Sequence, residues 1–203
     1  MQFIEHLNNI DTYLFLIINQ ENNNFLDSIM YYASSTTFWI PFYILLFTLI
    51  AVKYKWYSLL ALLFVIIAVA LADLTSVHLF KNVFQRLRPC YNTELVDVIN
   101  NIVGCGGKYG FVSSHAANSF AIVAITIKLI GDKYKWINWL MPFWGILILY
   151  SRVYLGKHYP GDVIAGAILG ILIAYLTYLA FAKTLVYLSN KSNSNGTKFL
   201  HSK

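Results

Sequence analysis

Long apolar runs that avoid charge constrain this chain more than any other feature of its sequence. A helix needs roughly 20 apolar residues to cross the hydrocarbon core of a bilayer, which is about 30 Å thick. Five runs approach that length, at residues 36–52, 56–80, 114–130, 136–155 and 163–182. The chain is 58% hydrophobic and only 12% charged, far from the balance of a soluble domain. The sequence therefore predicts an all-α fold, a polytopic bundle of transmembrane helices.

The N-terminal segment predicts a different kind of helix. Its apolar residues recur at helical spacing, at Phe3, Leu7, Ile10, Leu14 and Ile17. Acidic and amide residues interrupt the run before it reaches the length of a span. This pattern is typical of an amphipathic helix that lies in the membrane interface, and a sixth span is the alternative. We therefore expect five to six spans, an N-terminal interfacial amphipathic helix and no signal peptide.

The chain shows no linker or internal repeat, so residues 1–188 are predicted to form a single membrane-embedded domain. Residues 189–203 are polar and of low complexity, and we expect them to be disordered. The formal net charge is +6, but Lys and Arg are spread over many loops without a dense run. That distribution favours an anionic membrane surface and no nucleic acid as a partner, and it leaves the oligomeric state open.

The lysines also predict which side of the membrane each loop faces. With five spans, one side carries the tail and the turns with Lys53, Lys55, Lys133 and Lys135. The positive-inside rule makes that side cytoplasmic. Both longer connections fall on the opposite side, and they carry three polar clusters. Convergence of polar groups on one face is what an active site requires.

The first cluster, "KNVFQRLRP", places Lys81, Arg86 and Arg88 just beyond the second apolar run. Cations at a helix end complement the helix dipole and reach toward lipid headgroups, which would explain them without a catalytic function. They lie, however, on the face that the positive-inside rule depletes of cations. Phosphate binding would be a reason for their position, because Lys supplies a point charge and Arg a planar fork.

The second cluster, "FVSSHA", places Ser113, Ser114 and His115 before the third run. A serine N-cap followed by an interfacial histidine would account for it. The same helix N-terminus offers unpaired N–H groups to an anion, and a histidine can donate a proton near neutral pH. Both interpretations stay open for this cluster alone.

The third cluster, "SRVYLGKHYPGD", contains Arg152, Lys157, His158 and Asp162. Asp162 could serve only as the N-cap of the fifth run, after a Pro-Gly turn. A His and an Asp four residues apart also suit an imidazole that a carboxylate holds in one tautomer, which would orient His158 for nucleophilic attack. Together with the other two clusters, this spacing favours catalysis, and the role of Lys157 is left open.

A metal site is the weaker alternative. His115, His158 and Asp162 could bind zinc, but the neighbouring Lys and Arg residues would repel a divalent cation. The cations favour an anion, so no metal and no cofactor is predicted.

The three clusters resemble the motifs of the type 2 phosphatidic acid phosphatase superfamily, which also includes the vanadium haloperoxidases. The first motif matches at Lys81, Arg88 and Pro89. The third motif is complete in type and spacing, at Ser151, Arg152, His158 and Asp162. The second motif reads "VSSH" where the family usually has Pro-Ser-Gly-His, so Val112 and Ser114 stand in place of a proline and a glycine.

The resemblance implies a metal-independent phosphatase. His158 would attack phosphorus and form a phosphohistidine, Asp162 would orient His158, and His115 would protonate the leaving group. The groups that would hold the phosphate oxygens are Lys81, Arg88, Ser113, Ser114 and Arg152.

The resemblance and the predicted sidedness together imply a substrate class and a location. A site of this family that faces the periplasm or the cell exterior, in the inner membrane of a bacterium, would act on a lipid phosphate. Undecaprenyl diphosphate and lipid A are favoured, followed by phosphatidylglycerophosphate and phosphatidic acid. A lipid phosphotransferase that uses the same phosphohistidine and a non-catalytic protein that binds anionic lipid are the alternatives.

Cys90 and Cys105 lie in the outward-facing loop, where a disulfide can form in an oxidising compartment. Two free thiols are the alternative.

Overall fold

The computed structural model describes the backbone of residues 2–200, and the side chains of these residues except residue 3 and residues 192–200. Every regular element in this part of the chain is helical. Extended pairing among the described residues is limited to one isolated bridge between Leu87 and Tyr109. The all-α prediction is therefore confirmed.

Eight α-helices follow one another along the described residues. Their bounds are α1 Gln2–Gln20, α2 Asn24–Ser34, α3 Ile40–Tyr54, α4 Ser58–Thr75, α5 Asn82–Phe84, α6 Ser114–Ile130, α7 Ile137–Tyr154 and α8 Pro160–Leu200. A six-residue π-helical turn, Ser76–Lys81, continues α4 into α5. The apolar runs of the sequence thus correspond to α3, α4, α6, α7 and α8.

Helix α6 lies at the centre of the bundle, packed against α8, α4, α7 and α3. On the side of α8, the small residues Ala117 and Ala121 of α6 face Gly166 and Gly170. A Cβ atom at Gly166 would lie 2.5 Å from the carbonyl oxygen of Ser113, and one at Gly170 would overlap the carbonyl oxygen of Ala117. Small residues at such an interface let two membrane helices bring their backbones close together.

The end of the bundle with the α3–α4 turn also carries the α6–α7 turn. The chain reverses direction at Lys55, whose φ is 49°. Lys53 forms an ion pair with Asp132 in the turn after α6 and donates to the carbonyl oxygen of Leu129. The hydroxyl of Tyr54 donates to the same carbonyl oxygen at 3.1 Å. These contacts place the two lysine-bearing turns at one end, as the sidedness prediction requires.

Helix α1 lies at the opposite end, against α7 and α8. The ring of Phe15 is buried and packs edge-on against Tyr159, with centroids 5.5 Å apart. Asn19 is fully buried, and its side chain donates to the carbonyl oxygens of Asn100 at 2.8 Å and Tyr154 at 2.7 Å. The exposed apolar residues of α1 include Leu7, Ile10, Leu14 and Ile17. Helix α1 is thus fixed to the bundle by one face and presents an apolar face outward, as an interfacial helix does.

Helix α2 is not among the elements that the sequence analysis predicts. Asn23 caps it, because its side-chain oxygen accepts a hydrogen bond from the backbone N–H of Leu26 at 2.9 Å. Met30 and Ala33 are its buried residues. The helix has only 11 residues, too few to cross a bilayer, so a search for long apolar runs passes over it.

Among the residues that the structure describes, two helical stretches are long and apolar enough to cross a membrane, Thr37–Phe84 and Pro160–Lys191. The first contains both α3 and α4, and α6 is a shorter apolar helix. The predicted tail, residues 189–203, overlaps the last part of α8 as far as Leu200, and its residues 201–203 lie outside the described residues. Its disorder and the domain boundary at residue 188 stay predictions.

We expect Gly170→Ala to destabilise the bundle, because the added methyl group would overlap the backbone of α6. Overpacking typically costs about 1–3 kcal/mol, and a backbone atom cannot rotate away as a side chain can. Gly107→Ala is the matched control, since an added Cβ atom there would meet nothing within 4 Å. Thermal unfolding of both variants in one detergent measures the difference, and equal melting temperatures would contradict the close packing.

Candidate active site

The π-helical turn after α4 brings two polar side chains to the N-terminus of α6. Lys81 Nζ donates to Ser114 Oγ at 2.5 Å, and Ser76 Oγ lies 2.6 Å from the same oxygen. Turns of this kind are frequent at functional sites. Ser114, which stands where the family usually has glycine, therefore holds the ammonium group of Lys81 in place.

The N-termini of α6 and α8 meet at Ser113. Its hydroxyl accepts a hydrogen bond from the backbone N–H of Ala116 at 3.4 Å, which makes Ser113 the N-cap of α6. Its own backbone N–H donates to the carbonyl oxygen of Asp162 at 3.0 Å. The cap thus joins the second polar cluster of the sequence to the third.

His158 and Asp162 form a buried pair at the start of α8. Nδ1 of His158 lies 3.4 Å from Oδ2 of Asp162, and the two residues are 1% and 0% exposed. The same carboxylate oxygen accepts a hydrogen bond from the backbone N–H of Tyr159 at 3.2 Å. A carboxylate beside Nδ1 favours the tautomer with the proton on that nitrogen and leaves Nε2 free as a nucleophile.

Gly110 connects this pair to the first cluster. A Cβ atom at Gly110 would lie 2.9 Å from Asp162 Oδ2 and 3.5 Å from His158 Nδ1. Cγ of Arg88 would lie 3.2 Å from it. The absence of a side chain at Gly110 therefore lets Arg88 and the His–Asp pair come close together.

Backbone carbonyl groups of the glycine-rich loop hold Arg88. Its Nε donates to the carbonyl oxygen of Tyr109 at 3.3 Å and its Nη1 to that of Cys105 at 3.4 Å. Cys105 is joined to Cys90 by a disulfide, with the two Cα atoms 5.8 Å apart. Of the two alternatives that the sequence leaves open, the structure contains the disulfide, which ties the loop together beside Arg88.

Arg152 of α7 is 7% exposed. Its Nη1 donates to the hydroxyl of Ser34 in α2, whereas its Nε has no hydrogen-bond partner among the described residues. No carboxylate in the described part of the chain pairs with its guanidinium. A buried charge without a counter-ion is costly, so Arg152 indicates that an anion binds beside it.

A cavity of about 330 Å³ lies beside Arg152. Its polar lining includes Ser34, Ser35, His115, Arg152 and Lys157. His115 also borders a second cavity of about 190 Å³. A phosphate group in the first cavity would therefore have cationic side chains and a candidate proton donor in the same wall.

Lys157 is buried in the wall of the first cavity. Its Nζ donates to the carbonyl oxygen of Val103 at 3.1 Å and to that of Gly104. Burial, together with the charges of Arg152 and Arg88, lowers the pKa of Lys157 to about 8. Its ammonium group is therefore positive at neutral pH and loses its charge in mildly alkaline solution.

The electrostatic environment of His158 keeps the imidazole neutral. Burial lowers the pKa of His158 well below its ordinary value, and the positive charges of Arg88, Arg152 and Lys81 lower it further. A neutral imidazole has the free lone pair that nucleophilic attack requires. The cations that keep it neutral are also suited to hold a phosphate.

Two residues of this region are missing from the predicted site. Ser34 holds Arg152, from a position 118 residues earlier in the chain. Arg86 counts among the cations of the first cluster, but its guanidinium pairs with Asp162, 76 residues away. Contacts between such distant segments leave no local spacing in the sequence, so no motif could have indicated them.

All eight predicted site residues lie around the N-termini of α6 and α8. Lys81 contacts Ser114, Ser113 contacts Asp162, and Asp162 contacts His158. Arg88 reaches the His–Asp pair at Gly110. His115 and Arg152 share one cavity. The chemical role of each residue stays a prediction.

Comparison with known proteins finds several relatives of this chain. Residues 56–185 match the PAP2 superfamily. The lipid A 4'-phosphatase of Porphyromonas gingivalis is 30% identical over 181 residues, which are 88% of this chain and 75% of the relative. That of Bacteroides thetaiotaomicron is 33% identical over 179 residues, which are 86% of this chain and 78% of the relative.

The fold also matches a solved structure. It is the transmembrane PAP2-type phosphatidylglycerolphosphate phosphatase from Bacillus subtilis, with a TM-score of 0.68 at 20% identity, covering 88% of this chain and 87% of that one. The family match and the curated relatives confirm the predicted resemblance and, with it, the prediction of a phosphatase that acts on lipid phosphates. The match over residues 56–185, together with relatives that are at least 30% identical over most of their length, shows that this chain belongs to the PAP2 superfamily.

Proposed function

We propose that this protein removes a phosphate group from a membrane lipid through a phosphohistidine at His158. One observation carries the proposal, a buried His–Asp pair beside a buried guanidinium that has no anionic partner among the described residues. The pair supplies the nucleophile. Arg152, Lys81 and Arg88 supply positive charge that a bound phosphate would neutralise. Preorganised cations around a reacting phosphoryl group are the usual means of stabilising its transition state.

The first step is attack by Nε2 of His158 on phosphorus. The N–P bond forms as the P–O bond to the lipid breaks, and Asp162 stabilises the proton on Nδ1 of the imidazole. His115 gives a proton to the departing oxygen. The product of this step is the phosphohistidine and the dephosphorylated lipid.

Hydrolysis completes the cycle. A water molecule attacks the phosphohistidine, the N–P bond breaks, and inorganic phosphate leaves as the lone pair returns to His158. His115, which has lost its proton in the first step, is suited to accept one from the attacking water. Both chemical steps thus use the same two histidines. His158 is first the nucleophile and then the leaving group, and His115 is first the acid and then the base.

The two serines contribute through the positions in which they hold other groups. Ser114 orients the ammonium of Lys81, and Ser113 caps α6. The predicted role of both residues in phosphate binding is therefore proposed to be largely indirect. The unpaired N–H groups at the helix N-terminus add a favourable dipole for the anion.

We further propose five spans, formed by α3, α4, α6, α7 and α8. Helix α1 would lie in the membrane interface on the outward-facing side. The ion pair of Lys53 with Asp132 supports this topology, because it gathers the lysine-bearing turns at the end opposite the site. The exposed apolar face of α1 supports the interfacial position. The site would then face the periplasm or the cell exterior from the inner membrane of a bacterium.

The favoured substrate is a lipid A type of phosphorylated glycolipid. The names of the two curated relatives support this choice over undecaprenyl diphosphate, phosphatidylglycerophosphate and phosphatidic acid. A cavity of about 330 Å³ at the phosphate site has room for part of a headgroup beside the phosphate.

Purified protein should release inorganic phosphate faster from lipid A than from the other three lipids, presented at equal mole fraction in the same micelles.

We expect His158→Ala to lower kcat by at least about 1,000-fold, since it removes the nucleophile. His6→Ala is the matched control, because His6 is exposed on α1 away from the site. Phosphate release from His158→Ala at the wild-type rate would falsify the mechanism. Release by the wild type only when a lipid or sugar acceptor is added would support phosphotransfer instead.

The KM for the lipid phosphate should rise as the pH increases from 7.5 to 9.5, because Lys157 loses its charge as the pH passes its pKa of about 8. The substrate keeps a nearly constant charge in this range, since the second pKa of a phosphate ester is about 6. In Lys157→Met the KM should already be high at pH 7.5 and should change little. Lys108→Met, at an exposed loop position, should keep the wild-type pH dependence. An equal rise of KM in Lys157→Met would contradict a role of this lysine in binding.

The topology predicts opposite accessibility for two introduced cysteines. Asp97→Cys lies in the loop at the site end and should react with a membrane-impermeant maleimide in intact spheroplasts. Lys135→Cys lies in the α6–α7 turn and should react only after permeabilisation. The two native cysteines form the disulfide and do not compete for the reagent. Labelling in the reverse pattern would overturn the sidedness.

A further inference from the structure

We infer that Arg86 and Asp11 form a positioning pair that holds the catalytic carboxylate of Asp162, an inference that rests on the proposed phosphohistidine mechanism. Neither residue belongs to the motifs that the sequence shares with its family. Both act at Asp162 from segments far away along the chain.

Arg86 binds two carboxylates at once. Its Nη1 lies 2.8 Å from Oδ1 of Asp162, and its Nη2 lies 2.7 Å from Oδ2 of Asp11. Nη2 also donates to the side-chain oxygen of Asn8 at 3.3 Å. The planar guanidinium is stacked over the ring of Tyr159, with Cζ 4.3 Å from the centroid. These contacts use both ends of the fork and fix its orientation.

Asp11 completes the arrangement from α1. Its Oδ1 accepts a hydrogen bond from the backbone N–H of Gly161 at 2.7 Å, while Oδ2 binds Arg86. A Cβ atom at Gly161 would lie 2.8 Å from Oδ2 of Asp11, so the carboxylate sits directly against the first turn of α8. Asp11 therefore holds both the arginine and the backbone that carries Asp162.

The two oxygens of Asp162 have different tasks. Oδ2 faces His158 Nδ1 and the backbone N–H of Tyr159, whereas Oδ1 binds Arg86. Arg86 is the only cationic side chain in the described part of the chain that pairs with this fully buried carboxylate. A buried carboxylate that loses such a partner tends to take up a proton or to move. Either change would release the imidazole from its catalytic tautomer.

Arg86 does not take part in the proposed phosphate site. It lines a different cavity of about 340 Å³, together with Asn8, Asn92 and Tyr159. That cavity shares no lining residue with the one that contains Arg152, His115 and Lys157. Of the three cations in the first cluster, Arg86 thus serves the carboxylate, while Lys81 and Arg88 serve the phosphate.

The test measures kcat, KM and the inhibition constant of inorganic phosphate for the full-length protein in one detergent. Arg86→Gln should lower kcat by about 10–100-fold, as the loss of a partner that orients a catalytic group does. KM and the phosphate inhibition constant should stay within about two-fold of wild type, because Arg86 does not touch the phosphate. Arg86→Lys should recover part of kcat, since an ammonium group can keep the pair with Asp162 but not both pairs.

Asp11→Asn tests the other half of the pair and is nearly isosteric. It should lower kcat by about 3–10-fold, because the amide keeps the bond to Gly161 and loses the charge facing Arg86. The double variant Asp11→Asn/Arg86→Gln should have a kcat within about 1.5-fold of Arg86→Gln alone, since Asp11 acts mainly through the arginine. Asp132→Asn, which breaks the ion pair at the far end of the bundle, should leave all three constants unchanged.

Three outcomes would overturn the inference. They are a wild-type kcat in Arg86→Gln, a raised KM and phosphate inhibition constant with an unchanged kcat, and strictly multiplicative effects in the double variant. If Arg86→Gln does not fold, Asp11→Asn decides, and a wild-type kcat in that variant would sink the idea. A wild-type protein that releases no phosphate would instead refute the proposed function, so the two failures are distinguishable.

Discussion

The cost of burying unpaired charge in an apolar bundle governs the arrangement of this site. Arg152 lies in the interior with a serine hydroxyl as its partner and no carboxylate beside it among the described residues. Asp162 is equally buried, but the guanidinium of Arg86 compensates its charge. The positive excess is thus concentrated where an anion would bind, and the carboxylate is satisfied before any substrate arrives. In the proposed mechanism, the phosphate of the substrate supplies the missing negative charge.

Close packing of α6 and α8 sets the distances in this site. The glycines of α8 let its backbone approach the start of α6, where Ser113 and the carbonyl oxygen of Asp162 meet. Gly110 does the same between Arg88 and the His–Asp pair. In each case a missing side chain, and not a specific contact, brings the charged groups within reach of one another. The precision of the site therefore depends on residues that have no chemistry of their own.

Much of the fold was predictable because long helices in a membrane protein correspond to continuous apolar runs in the sequence. The grouping of the eight predicted site residues was predictable because their spacing within three short segments matches a family pattern. The short helix α2 and the pairing of Arg86 with Asp11 were not, since both depend on contacts between distant segments. Asn19 illustrates the same limit, because nothing near it in the sequence indicates that it bonds the loop at Asn100.

In the proposed topology, helix α1 connects the surrounding lipid to the catalytic site. One side of this helix is apolar and exposed. The other side carries Asp11, which forms an ion pair with Arg86, and Arg86 forms a second ion pair with Asp162. A detergent that covers the apolar side of α1 poorly could draw this helix away from the bundle. It would then inhibit the protein without binding in a cavity. The bilayer would behave as a structural component of the enzyme, and activity in micelles would report how well each detergent imitates a lipid headgroup layer.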